Sequence, residues 1–186
     1  MFTLVAGSLS MYSCRETKAD DAAEPMEHEM QEGEEMEHEM GMNEEQILKD
    51  EITAQFENQE VGTIYQNYIN IKNALVRTDA TMAQDRAKVM VAALGSNEAN
   101  AAVATAAQKI AAESNVNAQR TAFSELTAAM EAQLEGALAS GEIYKQYCPM
   151  AFEGKGDSWF SNSKEIRNPY YGDKMLKCGR VEATIN

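Results

Sequence analysis

Apolar side chains recur at helical spacing through the middle of the chain. Val61, Ile64, Tyr65, Tyr68 and Leu75, with Ile71 or Lys72 completing the turn, form one stripe over residues 61–76, the period of an amphipathic helix. Ile47, Leu48, Ile52 and Phe56 continue a similar stripe back to Gln46 until Gly62 weakens it. Asp79 is placed to cap a second helix reaching Leu94, with Ala83, Ala87, Met90 and Leu94 on one face and Gly95 ending it, as helix caps prefer. A third helix is predicted over Glu98–Ser114 on Val103, Ala107 and Ile110. A fourth is predicted over Asn117–Ser140 on Phe123, Leu126, Met130, Leu134 and Leu138, closed by Gly141. Four consecutive helices with short links predict an all-α fold, an antiparallel four-helix bundle. Met90 and Met130 read as core filler within it.

Beyond Gly141 the helical period stops and aromatic, Gly and Pro residues take over. This predicts an irregular C-terminal loop segment with room for short β-strands. At the other end, residues 20–45 hold 12 Asp and Glu and no Lys or Arg, against a net charge of −14 for all 186 residues. So much like charge without an apolar period predicts a disordered tether. The acidity also excludes nucleic acid as a partner, because phosphate contacts need clustered Lys and Arg. The expected organisation is a leader at 1–13, an acidic tether at 14–45 and a folded domain at 46–186.

Phe2, Leu4, Val5, Ala6 and Leu9 make an apolar run that ends at Ser13, immediately before Cys14. A small residue followed by cysteine is how a bacterial lipoprotein signal peptide closes, although Met11 and Tyr12 depart from the usual pattern. Lipidation of Cys14 would anchor the mature chain to a membrane by lipid alone, since no stretch approaches the roughly 20 apolar residues of a spanning helix. The expected location is the bacterial cell envelope, facing the periplasm or the cell exterior.

The acidic tether contains the pentapeptide MEHEM twice, as Met26, His28 and Met30 and again as Met36, His38 and Met40, with Met42 just beyond. Thioether sulfur and imidazole nitrogen together favour a soft ion such as copper in its Cu(I) state or silver. The bland alternative is an acidic spacer whose Met and His are incidental. Against it, both histidines of the chain fall within the repeat.

Three stretches carry a family resemblance: YCPMAF at Tyr147–Phe152, Asp157 with Trp159, and SKEIRNPYYGDKMLKCG at Ser163–Gly179. With YQNYINIKNALVRTDATMAQDRAKVM and QRTAFSELTAAM upstream, the chain resembles the bacterial domain-of-unknown-function family 3347 over about residues 60–182. The resemblance implies a secreted or lipid-anchored protein, similar to domains attached to the adaptor proteins of heavy-metal efflux pumps. A small metal-binding module found near such domains carries Tyr-x-Cys-Pro-Met-His-Pro. Cys148, Pro149 and Met150 match its centre, whereas Ala151 and Phe152 replace its His and Pro.

With Cys14 assigned to lipid, Cys148 and Cys178 remain of the three cysteines. An oxidising compartment favours a disulfide between them, which would stabilise the fold by about 3.5 kcal/mol in the chain-entropy model. The alternative joins them with Met150 and Met175 as a four-sulfur metal site. A hybrid cycles between the two states. Trp159, Tyr170 and Tyr171 are expected to pack this segment on the bundle, with Asn168 and Pro169 shaping a turn that Gly172 relieves. Beyond residue 45 there is no histidine and no Gly-rich phosphate loop, so an enzyme is not expected. The function expected is binding or buffering of copper or silver, accessory to an efflux adaptor or pump. The alternative is a non-metal envelope interaction module with a structural disulfide and a spacer tail.

Overall fold

Side-chain caps open three of the four long helices. The computed structural model describes residues 52–186, and in it Asn58 accepts a hydrogen bond from the Glu60 N–H (2.8 Å) to open helix α1, Gln59–Val76. Asp79 accepts from the Met82 N–H (2.8 Å) to open α2, Ala80–Leu94, which Gly95 ends with φ of 58°. A short 3-10 turn, Glu98–Asn100, leads into α3, Ala101–Ala112. Asn115 accepts from the N–H groups of Asn117 and Ala118 to open α4, Val116–Leu134. Each cap satisfies donors that a helix end otherwise leaves unpaired. Each helix packs on the next, and α4 also contacts α1. Ala83, Ala87, Ala106 and Ala107 are buried in these contacts, and Met90 and Met130 are wholly buried core residues.

The all-α expectation is overturned. The described residues are about 55% helical and 16% strand, a mixed α/β structure with two antiparallel sheets. Strands β1, Gln55–Phe56, and β2, Leu138–Ser140, form a two-stranded ribbon. Strands β3, Ile143–Cys148, β4, Asp157–Ser161, and β5, Arg180–Ile185, form a three-stranded sheet in the order β4-β3-β5.

Two helix boundaries are corrected by the same ribbon. Residues 52–56 are not the backward extension of α1, because Asn58 caps that helix and the Glu57 N–H donates to the Ala137 carbonyl (3.0 Å). Helix α4 stops at Leu134 rather than Ser140, since Glu135 is extended and Gly136 turns the chain with φ of 66°. Tertiary pairing outweighed helical spacing at Phe56 and Leu138, both partly buried against the core. Gly141 makes the approach possible, for a Cβ there would stand 2.7 Å from the Ala54 Cα.

Strand β3 alternates its side chains between two covered faces. Lys145 pairs with Phe160, and Phe160 lies 6.0 Å from the Tyr68 ring of α1. On the other face, Tyr144, Gln146 and Cys148 are cross-strand from Ser161, Trp159 and Asp157. The Gln146 amide donates to the carbonyls of Ser163 (2.7 Å) and Glu165 (3.2 Å), which ties this face to the segment following β4. Sheet and helices share one core, in which Tyr68 stacks on Phe123 at 5.0 Å and Phe123 meets Tyr170 at 6.0 Å.

Candidate functional site

Cys148 is the last residue of β3, held opposite Asp157 by sheet pairing and wholly buried. Cys178 arrives from the loop before β5, where its N–H donates to the Met175 carbonyl (3.0 Å). The two sulfurs stand 3.3 Å apart as free thiols, Cys148 enclosed and Cys178 partly accessible. Their shared hydrogen bond, with burial adding to it, pushes the Cys178 thiol above its ordinary pKa.

Asn168 organises the loop that delivers Cys178. It is fully buried, and its side-chain amide donates to the Cys178 carbonyl (2.7 Å) while its side-chain oxygen accepts from the N–H groups of Tyr170 (2.8 Å) and Tyr171 (3.2 Å). Its own N–H donates to the Leu176 carbonyl (2.8 Å). The Tyr171 hydroxyl then reaches back to the Met150 carbonyl (2.6 Å), two residues past Cys148. One circuit of hydrogen bonds therefore links the backbone beside each cysteine.

The circuit is anchored to the helices. Buried Arg120 of α4 donates to the Pro169 carbonyl (2.9 Å) and to the Thr78 hydroxyl (3.2 Å). Burial lowers the pKa of that guanidinium, and the Asp173 carboxylate opposes the shift. Gly172 fits here because a Cβ would run into the Thr78 hydroxyl and stand 2.8 Å from Arg120 Nη2. The Tyr170 ring meets Trp159 edge-on at 6.0 Å, and its hydroxyl donates to the Ser158 carbonyl (2.6 Å). Burial pushes the Tyr170 phenol well above its ordinary pKa.

Met150 and Met175 flank the pair in sequence and are 50% and 38% exposed. Among the described residues no three His, Cys, Asp or Glu side chains cluster as metal ligands. The donor chemistry fits a soft ion. At metal–sulfur distances of about 2.3 Å a tetrahedral angle sets two sulfurs roughly 3.8 Å apart, whereas a disulfide brings them to about 2.05 Å. The observed 3.3 Å lies between the two. Small movements in opposite directions reach either state.

Cys14 and Met26, His28, Met30, Met36, His38, Met40 and Met42 lie outside the described residues. Arg120 is not among the site residues expected from the sequence. Its signal was present, since Arg120 precedes Phe123 by three residues and Thr127 by seven and so lies on the buried stripe of α4.

The helical framework under this loop also carries the family relationship. Residues 64–140 match the family model described as Protein of unknown function (DUF3347). Over this stretch the chain is similar to the DUF3347 family. The DUF3347 match spans α1 to β2 and ends before β3, short of the 60–182 expected from the motifs, so the cysteine pair lies beyond it. Arg120, which bonds the cysteine loop at the Pro169 carbonyl, and Thr78, which Arg120 also bonds, are inside the DUF3347 stretch. No curated protein and no solved structure matches the chain. Among the described residues no helix is long and apolar enough to cross a membrane.

Proposed function

We infer that this protein binds or buffers a soft heavy metal, copper or silver, in the bacterial envelope as a lipid-anchored accessory to a heavy-metal efflux system. The observation that carries the reading is the Cys148 and Cys178 thiol pair at 3.3 Å, held by a loop with exposed Met150 and Met175 beside it. Thiolate and thioether sulfur select Cu(I) and Ag(I) over harder ions. The Met and His of the two MEHEM units are the same class of donor, and glutamates around His28 and His38 raise the local cation concentration. Two sites on one chain capture an ion through raised effective concentration. The association of similar domains with efflux adaptors supports the same direction, and Cys14 supplies the anchor.

A second reading is favoured by one specific observation. The Asn168 circuit already holds the sulfurs within 3.3 Å, so a disulfide that staples an interaction module, with the acidic tract as spacer, is close at hand. Titration of Ag(I), then of Cu(I) without oxygen, into the reduced purified protein separates the two. Metal binding predicts stoichiometric uptake, reduced when the tract Met become Leu and its His become Asn, and reduced further by Cys148→Ser with Cys178→Ser. Uptake unchanged by both sets of substitutions removes the metal reading.

A further inference from the structure

We propose that Cys148 and Cys178 form a reversible thiol–disulfide couple that exchanges with an external disulfide through Cys178 and, once oxidised, withdraws both sulfurs from metal. The gating part rests on the metal reading above; the exchange chemistry stands without it.

The asymmetry of the pair sets the order of events. Cys148 is sealed in the sheet, while Cys178 is partly accessible and on the loop. A low-molecular-weight or protein disulfide therefore meets Cys178 first. The Cys178 thiolate attacks one sulfur of that disulfide, its S–S bond breaks, and a mixed disulfide forms as one thiolate leaves. The Cys148 thiolate, 3.3 Å away, then attacks the Cys178 sulfur and expels the second thiolate. Both leaving thiolates take up the protons that the two cysteines release. The protein dithiol is oxidised by two electrons and the external disulfide is reduced to two thiols.

The loop explains why closure follows capture. Asn168 pins the Cys178 carbonyl, and Tyr171 pins the Met150 carbonyl beyond Cys148. Each sulfur is therefore presented on a fixed backbone, which favours the intramolecular second step over release of the mixed disulfide. A disulfide has no thiolate to offer, so a bound soft ion loses both ligands when the couple closes. The couple also has a built-in reporter. Trp159, the single tryptophan of the chain, packs against Gly179, where an added Cβ would lie 2.9 Å from the indole ring.

The test uses metal-free reduced protein with Cys14→Ala throughout, exposed to glutathione disulfide, quenched in acid and weighed by mass spectrometry. The expected result is joint loss of the Cys148 and Cys178 thiols without a lasting glutathione adduct, a change in Trp159 fluorescence, and reversal of both by dithiothreitol. Cys148→Ser should trap one glutathione on Cys178. Cys178→Ser should leave Cys148 unmodified over the same time. Persistence of both thiols, an adduct that accumulates without closing, or equal reaction of Cys148 in Cys178→Ser overturns the couple; the first two are read on the chain with both cysteines and need no variant to fold. Ag(I) titration of reduced and oxidised protein tests the gate. Loss of the pair's equivalent on oxidation supports it, and equal uptake by both forms overturns it. Reversible pairing without Ag(I) at the reduced pair keeps the couple, overturns the gate and refutes the pair's place in the metal reading.

Discussion

Asn168→Ala tests whether a single buried amide holds the cysteine loop. The substitution removes three hydrogen bonds, to the Cys178 carbonyl and from the N–H groups of Tyr170 and Tyr171. Each is worth about 1 kcal/mol net, and a group left buried without a partner costs about 1–3 kcal/mol. Tyr170 is buried and its N–H has no route to water, whereas Cys178 and Tyr171 are partly accessible. The expected loss is therefore about 3 kcal/mol, with the full penalty falling on Tyr170. Urea unfolding of the reduced protein, followed by Trp159 fluorescence, reads it as a midpoint lowered by about 1–2 M with an unchanged slope. The same variant should react faster with iodoacetamide at Cys178, because its carbonyl anchor is gone. A loss below about 1 kcal/mol at unchanged slope would show that the loop is held by other contacts, and the argument from Asn168 would fail.

Gly172→Ala should cost about 2–3 kcal/mol in the same assay, since φ of 57° is unfavourable for alanine and the new Cβ displaces Thr78 and Arg120. A neutral result would show that the turn relaxes freely. Tyr68→Phe removes a hydroxyl that bonds Thr127 (2.9 Å) and accepts the Phe160 N–H (3.0 Å); the expected destabilisation is about 1–3 kcal/mol from the stranded buried groups, and an unchanged midpoint refutes it. Burial holds that phenol above its ordinary pKa. Alkylation of Cys178 in the reduced protein should rise with pH along a curve displaced to higher pH than free cysteine, because its raised pKa delays the thiolate. By linkage, a thiol whose pKa is higher folded than unfolded stabilises the reduced fold below the unfolded value, and that stability falls as pH rises towards the folded one. A titration matching or preceding that of free cysteine would contradict the shared hydrogen bond.

The amino-acid sequence by itself placed the four long helices, three of which open on a side-chain cap, although it ran the first back to Gln46 and the fourth on to Ser140. Asp79 caps α2 and Gly95 ends it where the apolar spacing stops, and the buried residues of α4 include Phe123, Leu126, Met130 and Leu134 of the predicted stripe. It also singled out the two cysteines and the Asn168–Gly172 turn, whose residue types are rare enough to mark a position. The class of the fold was not legible. Strand β3 reads IYKQYC and is covered on both sides, so its alternation of apolar and polar residues is blurred, and β5 is almost wholly exposed. Phe56 and Leu138 continue a helical spacing yet lie in paired strands. Only tertiary contacts decided these elements, since strand pairing joins residues 82 positions apart, such as Phe56 and Leu138, and no local window contains both partners. The 3.3 Å approach of Cys148 and Cys178 has the same origin. Arg120 of the helical stretch holds the loop at the Pro169 carbonyl, and a buried charge on an apolar stripe acquires its meaning when the carbonyls it bonds arrive from elsewhere in the chain.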